Sequence, residues 1–214
     1  MSKRGPQLVG QTVLVIGGSS GIGLETARRA HEEGATAVLT GRDPERVQRA
    51  GLEVEGSIAA FDATDFRRLV AFFDRLPTPI DHVLLTGPAQ CDMPVVQFSV
   101  EEGRRQLEAH LLLPLHVAHE VARVVRPGGT LLFTSCTDGR RAAAGRALTS
   151  AITAGLSAMA KSLASELAPI RVNVLAAGVI PPTDVAALAI HLMTNTAITG
   201  ATFDIDGGQQ ISAR

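Results

Sequence analysis

The sequence predicts an α/β doubly wound fold, in which a mostly parallel, seven-stranded sheet carries helices on both faces within a single domain. Three observations lead there. Short β-branched and aliphatic runs alternate with helix-period patterns along the whole chain. The first run, Thr12-Val13-Leu14-Val15-Ile16, is continuous rather than alternating, as expected of a strand buried on both faces of a parallel sheet. It breaks into Gly17-Gly18-Ser19-Ser20-Gly21-Ile22-Gly23 and then into helix-forming residues, so it reads as strand, glycine-rich turn and helix.

That first turn organises the rest. Gly17 allows a tight reversal, Gly21 allows a ligand to approach the backbone, and Gly23 removes a side chain where the helix must pack on the strand. Ser19, Ser20 and Ile22 complete the loop. The helix start presents free N–H groups and a positive dipole end, which suits a pyrophosphate. The helix runs over 21–33, with Ile22, Leu24, Ala27 and Ala30 toward the sheet and Gly34 closing it. A second strand over 36–40 ends at Gly41-Arg42-Asp43. An acidic residue here would accept hydrogen bonds from a ribose, whereas Arg42 suits a 2′-phosphate, with Ser19 as a second contact; the bland alternative is a solvated loop arginine. Asp43 caps the next helix and Pro44 occupies its first position.

The third strand, 57–61, leads to a helix over about 66–75 that Thr64 or Asp65 caps. The fourth runs from Ile80 to a turn at Gly87. A long helical pattern over 100–125 repeats leucines at three- and four-residue spacings, with Pro114 inside it as a kink. Arg126-Pro127-Gly128-Gly129 stops it before a fifth strand at 130–134. An alanine-rich helix over 147–167 follows, its small residues suited to close approach of another helix. The sixth strand spans 170–175, a helix covers about 183–194, and the seventh strand spans 201–205. Residues 1–11 read as a loose polar lead-in within the 1–214 domain.

Composition excludes several function classes. With 20 basic and 21 acidic residues and a formal charge of −1, the chain has no electrostatic footprint for nucleic acid or an anionic membrane surface. Its two cysteines make no disulfide framework, and no metal-ligand cluster is expected. Without an apolar signal or membrane-length run, a cytoplasmic setting is the expectation. Among 214 residues there is no Tyr and no Trp, so no phenol can serve as an acid.

The G-x-x-x-G-x-G spacing of the first turn, the run from Ala164 to Asn173, and Thr199-Gly200 followed by Asp206-Gly207-Gly208 together resemble the short-chain dehydrogenase/reductase family over residues 12–208. The resemblance implies a Rossmann-like fold and a nicotinamide cofactor, NADP(H) rather than NAD(H) on the strength of Arg42. It implies an adenine pocket at Asp62 and Ala63, further cofactor contacts at Gly87, Gly178 and Ile180, a small-molecule substrate, and a homodimer or homotetramer. It also shows departures. The family's Asn-Asn-Ala-Gly motif is replaced by Thr86-Gly87-Pro88-Ala89. The positions of its catalytic Tyr, Lys, Ser and Asn hold Thr149, Thr153, Cys136 and His110. Its substrate-covering insert is reduced to Ala177-Gly178-Val179-Ile180-Pro181-Pro182, implying a short-walled, open pocket.

A threonine hydroxyl is no usable acid at neutral pH; Cys136 and His110 have suitable intrinsic pKa values and could act together as acid and base. The alternatives are a cysteine filling the serine's space and a hydrogen-bonded histidine. Arg140, Arg141 and Arg146 either reach the pocket mouth to meet an anionic substrate or form a solvated face. Three functions remain open at this point. They are an atypical, ketoreductase-like NADP(H) oxidoreductase, a nucleotide-binding pseudoenzyme or partner protein, and a non-redox isomerase or dehydratase using Cys136 or His110 as base.

Overall fold

A computed structural model describes residues 5, 7–88 and 90–211. Seven strands form one sheet in the order β3-β2-β1-β4-β5-β6-β7: β1 (Thr12–Ile16), β2 (Thr36–Gly41), β3 (Ser57–Ala60), β4 (Ile80–Leu85), β5 (Val125–Cys136), β6 (Arg171–Ala177) and β7 (Thr202–Ile205). Every pairing is parallel, so the expected mostly parallel sheet is parallel throughout. The order reverses between β1 and β4, the switch point beyond whose carboxyl ends doubly wound sheets hold their ligands.

Two apolar layers hold the sheet. On one face α1 (Gly21–Glu32), α2 (Pro44–Glu53) and α7 (Pro182–Thr194) pack on Val13, Val15, Leu39, Leu84 and Leu175. On the other, α3 (Phe66–Phe73), α5 (Leu113–Val124) and α6 (Ala147–Glu166) cover Leu14, Ile16, Val83, Leu131 and Val174. Alternate residues of β1 thus feed opposite layers, which is why its run is apolar without a break. Ile22 and Leu24 are half-buried, whereas Thr26 is fully buried beside Ala27 and Ala30.

Several expectations need correction. Residues 7–11 are not loose: Leu8 is fully buried, its N–H donates to the Glu33 carbonyl at 2.9 Å, and Thr36 N–H donates to the Gln11 carbonyl at 2.8 Å. The lead-in ties off the end of α1; residues 1–4 and 6 lie outside the described residues. β5 starts at Val125, five residues earlier than expected, because Arg126 pairs with buried Asp81 while the register jumps from Ile80↔Val125 to His82↔Thr130. The long helix over 100–125 is three segments: α4 (Val100–Leu107), a π-helical turn (Glu108–Leu112) and α5. Pro114 has no N–H to donate, and the expected kink appears as this wider turn just before it. The N-caps at Asp43 and Asp65 are present, accepting from Glu45 and Arg46 N–H and from Arg68 N–H respectively.

Candidate active site

A cleft of about 620 Å³ opens where β1, β2, β3, β4 and β5 end. Its floor is the first turn. Gly17 adopts φ +89° and turns its Cα toward Thr86, where any Cβ would overlap the threonine hydroxyl; Thr86 Oγ1 donates to the Gly17 carbonyl at 3.0 Å. The replaced asparagine motif therefore still ties turn to strand. Its last residue, Ala89, lies outside the described residues. Gly23 faces the Gly17 carbonyl and Gly18 Cα, so its missing side chain accommodates the turn's own backbone rather than the strand. Gly21, at φ +54°, has nothing within 4 Å of where a Cβ would stand. Ser20 is the N-cap of α1 yet makes no side-chain cap bond, leaving the helix start open to the cleft.

The other cleft residues group by element. Gly41, at the end of β2, lies under the Ser19 side chain, and Arg42 follows at the rim. Arg42 is exposed and has no hydrogen-bond or ion-pair partner among the described residues. Asp62 Oδ1 accepts from both the N–H and the hydroxyl of Thr64, at 3.0 and 2.8 Å, forming a turn that places Asp62 and Ala63 on the wall. Gly87 closes the inner end. Arg46 and, from α4, Arg105 also line the cleft; neither stands out in the sequence, because only folding brings their helices to the strand ends.

The cleft thus collects Gly17, Ser19, Ser20, Gly21, Ile22, Gly23, Arg42, Asp62, Ala63 and Gly87. It does not include Gly178 or Ile180. Gly178 lies so close to Asp206 that any Cβ there would overlap the aspartate Cβ, and Ile180 joins the apolar layer around α7.

Beyond the cleft the four substituted positions separate into two environments. Cys136 Sγ donates to Gln90 Oε1 at 3.2 Å and lies 3.9 Å from Thr153 Oγ1. Thr149 Oγ1 donates to Asp92 Oδ1 at 3.3 Å, and Arg146 bridges Asp92 and Asp138. Gly139 sits so close over Thr153 that a Cβ there would overlap its hydroxyl. Both threonines are almost wholly buried, at 3% and 2% exposure. His110 instead projects from the π-helical turn against Gly87, only 6% exposed, with Nε2 lacking any hydrogen-bond partner among the described residues. Burial holds its pKa below the usual histidine value, keeping the ring neutral at pH 7. The partners of Cys136 are Gln90 and Thr153, not His110, so the contacts show no acid–base pair between Cys136 and His110.

The short linker after β6 lets the C-terminal turn fold back, where the Gln209 amide makes two hydrogen bonds with the Val179 backbone, at 3.1 and 2.9 Å. The basic loop is held in the same way: Arg140 pairs with Asp204 at 3.1 Å, and Arg141 donates to the Gln209 carbonyl at 3.1 Å. With Arg146 also engaged, none of the three is an unengaged group awaiting an anion. Gln90, Asp92 and Gln209, which make these contacts, carry no motif in the sequence.

Residues 16–183 match the family profile described as "Enoyl-(Acyl carrier protein) reductase". The chain belongs to the short-chain dehydrogenase/reductase family. A relative from Stachybotrys chlorohalonatus, "Short-chain dehydrogenase/reductase ATR9", is 27% identical over 95% of this chain and 98% of its own. Among solved structures, BdcA in complex with NADPH superposes with a TM-score of 0.86 at 24% identity, covering 94% of this chain and 95% of that one. The MalC Reductase/Diels-Alderase from Malbranchea aurantiaca gives 0.89 at 22% identity, covering 96% and 98%. This family member has an oxidoreductase-like fold, and the family binds a nicotinamide cofactor. The cleft passes the corresponding test of fit: an unobstructed approach to Gly21, an uncapped helix start and the exposed Arg42 at the rim suit a dinucleotide. Among the described residues no helix is long and apolar enough to cross a membrane, and no group of His, Cys, Asp and Glu could hold a metal.

Proposed function

We propose that this chain is an atypical NADP(H)-dependent oxidoreductase, ketoreductase-like, acting on a small molecule. The supporting observation is that the open start of α1 and the unpartnered Arg42 guanidinium face one cleft, with Ser19 between them. N–H groups of the first turn would hold the diphosphate, and Asp62 and Ala63 would flank the adenine. Arg42 would meet a 2′-phosphate, for which its planar fork is suited. When bound, the nicotinamide supplies hydride transfer.

This chain's own residues supply little acid at that end. Thr149 directs its proton to Asp92, Cys136 directs its own to Gln90, and His110 is held neutral. Gly178 and Ile180 stand outside the cleft and are proposed as contacts at the nicotinamide end only. The reaction therefore fits a substrate that needs no external proton, such as an iminium or activated alkene, or one carrying its own donor. Replacing Arg42 by Ala should weaken NADPH binding about 10- to 100-fold, the worth of a charge-assisted contact, while leaving NADH unchanged. Calorimetry in which both nucleotides bind equally well, or neither binds, would refute the reading.

A second reading has its own support in the buried, internally bonded Thr149 and Thr153: a nucleotide-binding pseudoenzyme or partner protein. Single-turnover mixing with NADPH and a panel of ketones, iminium ions and enones separates the two. Loss of reduced-nicotinamide absorbance supports catalysis; binding without turnover across the panel supports the second.

The proposal includes a homodimer or homotetramer. Leu107, Leu112 and Leu115 are 39%, 51% and 48% exposed, and Ala151, Ala154 and Ala158 are exposed on neighbouring α6. A cytoplasmic setting accords with two free cysteines.

A further inference from the structure

A second cavity lies elsewhere in the fold. A trough of about 820 Å³ lies between the β2–β3 edge of the sheet and α3. Parallel sheets ordinarily bury both faces of every strand, and β3 does not comply. On the face toward α3 it presents Ser57 and Ala59, level with Val38 and Thr40 of β2, and these small side chains leave the space between sheet and helix unfilled. The short α3 ends at Phe73, and Leu76 and Pro77 close that end. The interior is apolar: Val38, Ala59, Phe61, Phe72 and Leu76 line it. Phe61 and Phe72 have ring centroids 5.2 Å apart and planes inclined at 42°.

The rim has a definite sign. Three guanidiniums, Arg67, Arg68 and Arg75, border the trough against a single carboxylate, Asp65. Asp65 is paired with Arg68 at 3.3 Å and caps α3. Arg75 donates only its Nε, to the Ala71 carbonyl at 2.9 Å, and Arg67 has no partner among the described residues. An apolar volume of drug-ligand size with uncompensated guanidiniums at its mouth matches a molecule with an alkyl or aryl body and one anionic head. A neutral lipid would leave the guanidiniums unanswered, and a free small anion would leave the apolar walls in water.

We propose that this trough is a second ligand site, separate from the nucleotide cleft, for an amphiphilic anion: a medium-chain carboxylate or alkyl phosphate whose head meets Arg67 and Arg75. Phe61 lines both the trough and the cleft, and is their shared wall.

The test uses the full chain and anilinonaphthalene sulfonate as an amphiphilic anionic probe. Dodecanoate and dodecyl phosphate displace it at one site per chain, below their micellar concentrations. Dodecanol, acetate and inorganic phosphate each compete at least tenfold less well. Either ranking of the two anions supports the site and assigns its head group. Arg67→Glu with Arg75→Glu weakens dodecanoate at least tenfold and leaves NADPH titration within twofold of wild type. Ala59→Trp fills the trough and abolishes dodecanoate binding; as the chain has no other Trp or Tyr, its indole fluorescence also reports whether the residue is buried. Equal competition by dodecanol, undiminished binding in the double charge reversal, or dodecanoate binding to a folded Ala59→Trp chain each overturns the proposal. So does a shift in oligomeric state on charge reversal with no effect on dodecanoate, which would make the trough a contact between copies. Failure of wild-type protein to bind NADPH sinks the cofactor reading alone.

Discussion

At the scale of single residues, two positions show how little freedom the fold leaves. Gly17 combines a positive φ with a Cα pressed toward Thr86, so Gly17→Ala meets both backbone strain and overlap. It should destabilise the protein by roughly 2 kcal/mol or more, read as a lowered urea midpoint. His82 is buried between Gln11 and Thr130, with ring nitrogens 2.6 Å from Gln11 Oε1 and 2.8 Å from Thr130 Oγ1. Gln11 Oε1 can only accept, so Nε2 carries the proton and Nδ1 accepts from the threonine. Desolvation first, then Arg171 and Arg126, lowers its pKa to about 3. The unfolded chain, titrating near 6.5, takes up the proton first as pH falls. Stability is therefore unaffected by His82 above about pH 6.5 and declines by about 1.4 kcal/mol per pH unit from there toward pH 3. Urea melts across that range should show the slope, and His82→Gln should flatten it.

Elements add effects that no residue carries alone. Asp43 accepts from two N–H groups at the start of α2, and Asp43→Ala should cost about 1 kcal/mol, measured by chemical denaturation. Because α2 carries Arg46 and follows Arg42 directly, the same change should also loosen the rim and weaken NADPH binding a few-fold in the proposed reading. The π-helical turn before Pro114 is the more consequential device. It widens the backbone where His110 sits and directs that ring against Gly87. Helical periodicity locates the segment and Pro114 flags an irregularity, but a regular kinked helix is all that sequence spacing can express. The wider turn depends on packing, with Leu111 lying over Gly155 of α6.

For the whole molecule, the division of labour lies between the two ends of the strand row. The β1–β4 switch point assembles a cleft from five strand ends, whereas at the β5–β6 end Gln90 bonds Cys136, Asp92 bonds Arg146 and Gln209 bonds the Val179 backbone. Thr149→Val and Thr153→Val should leave nucleotide affinity within twofold, since neither lines the cleft; a tenfold loss by calorimetry would contradict that separation. Assembly is testable at the same scale. Leu112→Glu with Leu115→Glu should convert the proposed oligomer to monomer by light scattering, both side chains being about half exposed on the single chain.

The sequence by itself determined the layers and most of the cleft. Strand runs, glycine spacing and caps are local, each set by backbone conformation and neighbours within a few residues, so Gly17 to Gly23, Arg42, Asp62 and Gly87 were legible before any contact was known. It also determined that no phenol stands at the family's acid position. Only the tertiary structure decided that Thr149 and Thr153 are buried, that Cys136 bonds Gln90 while His110 is buried against Gly87, and that the leading residues pack under α1. It alone revealed the trough beneath β3. These depend on which side chains meet across tens of residues, and a hydrogen bond between Cys136 and Gln90, or the space left by Ser57 and Ala59, has no signature in spacing or composition.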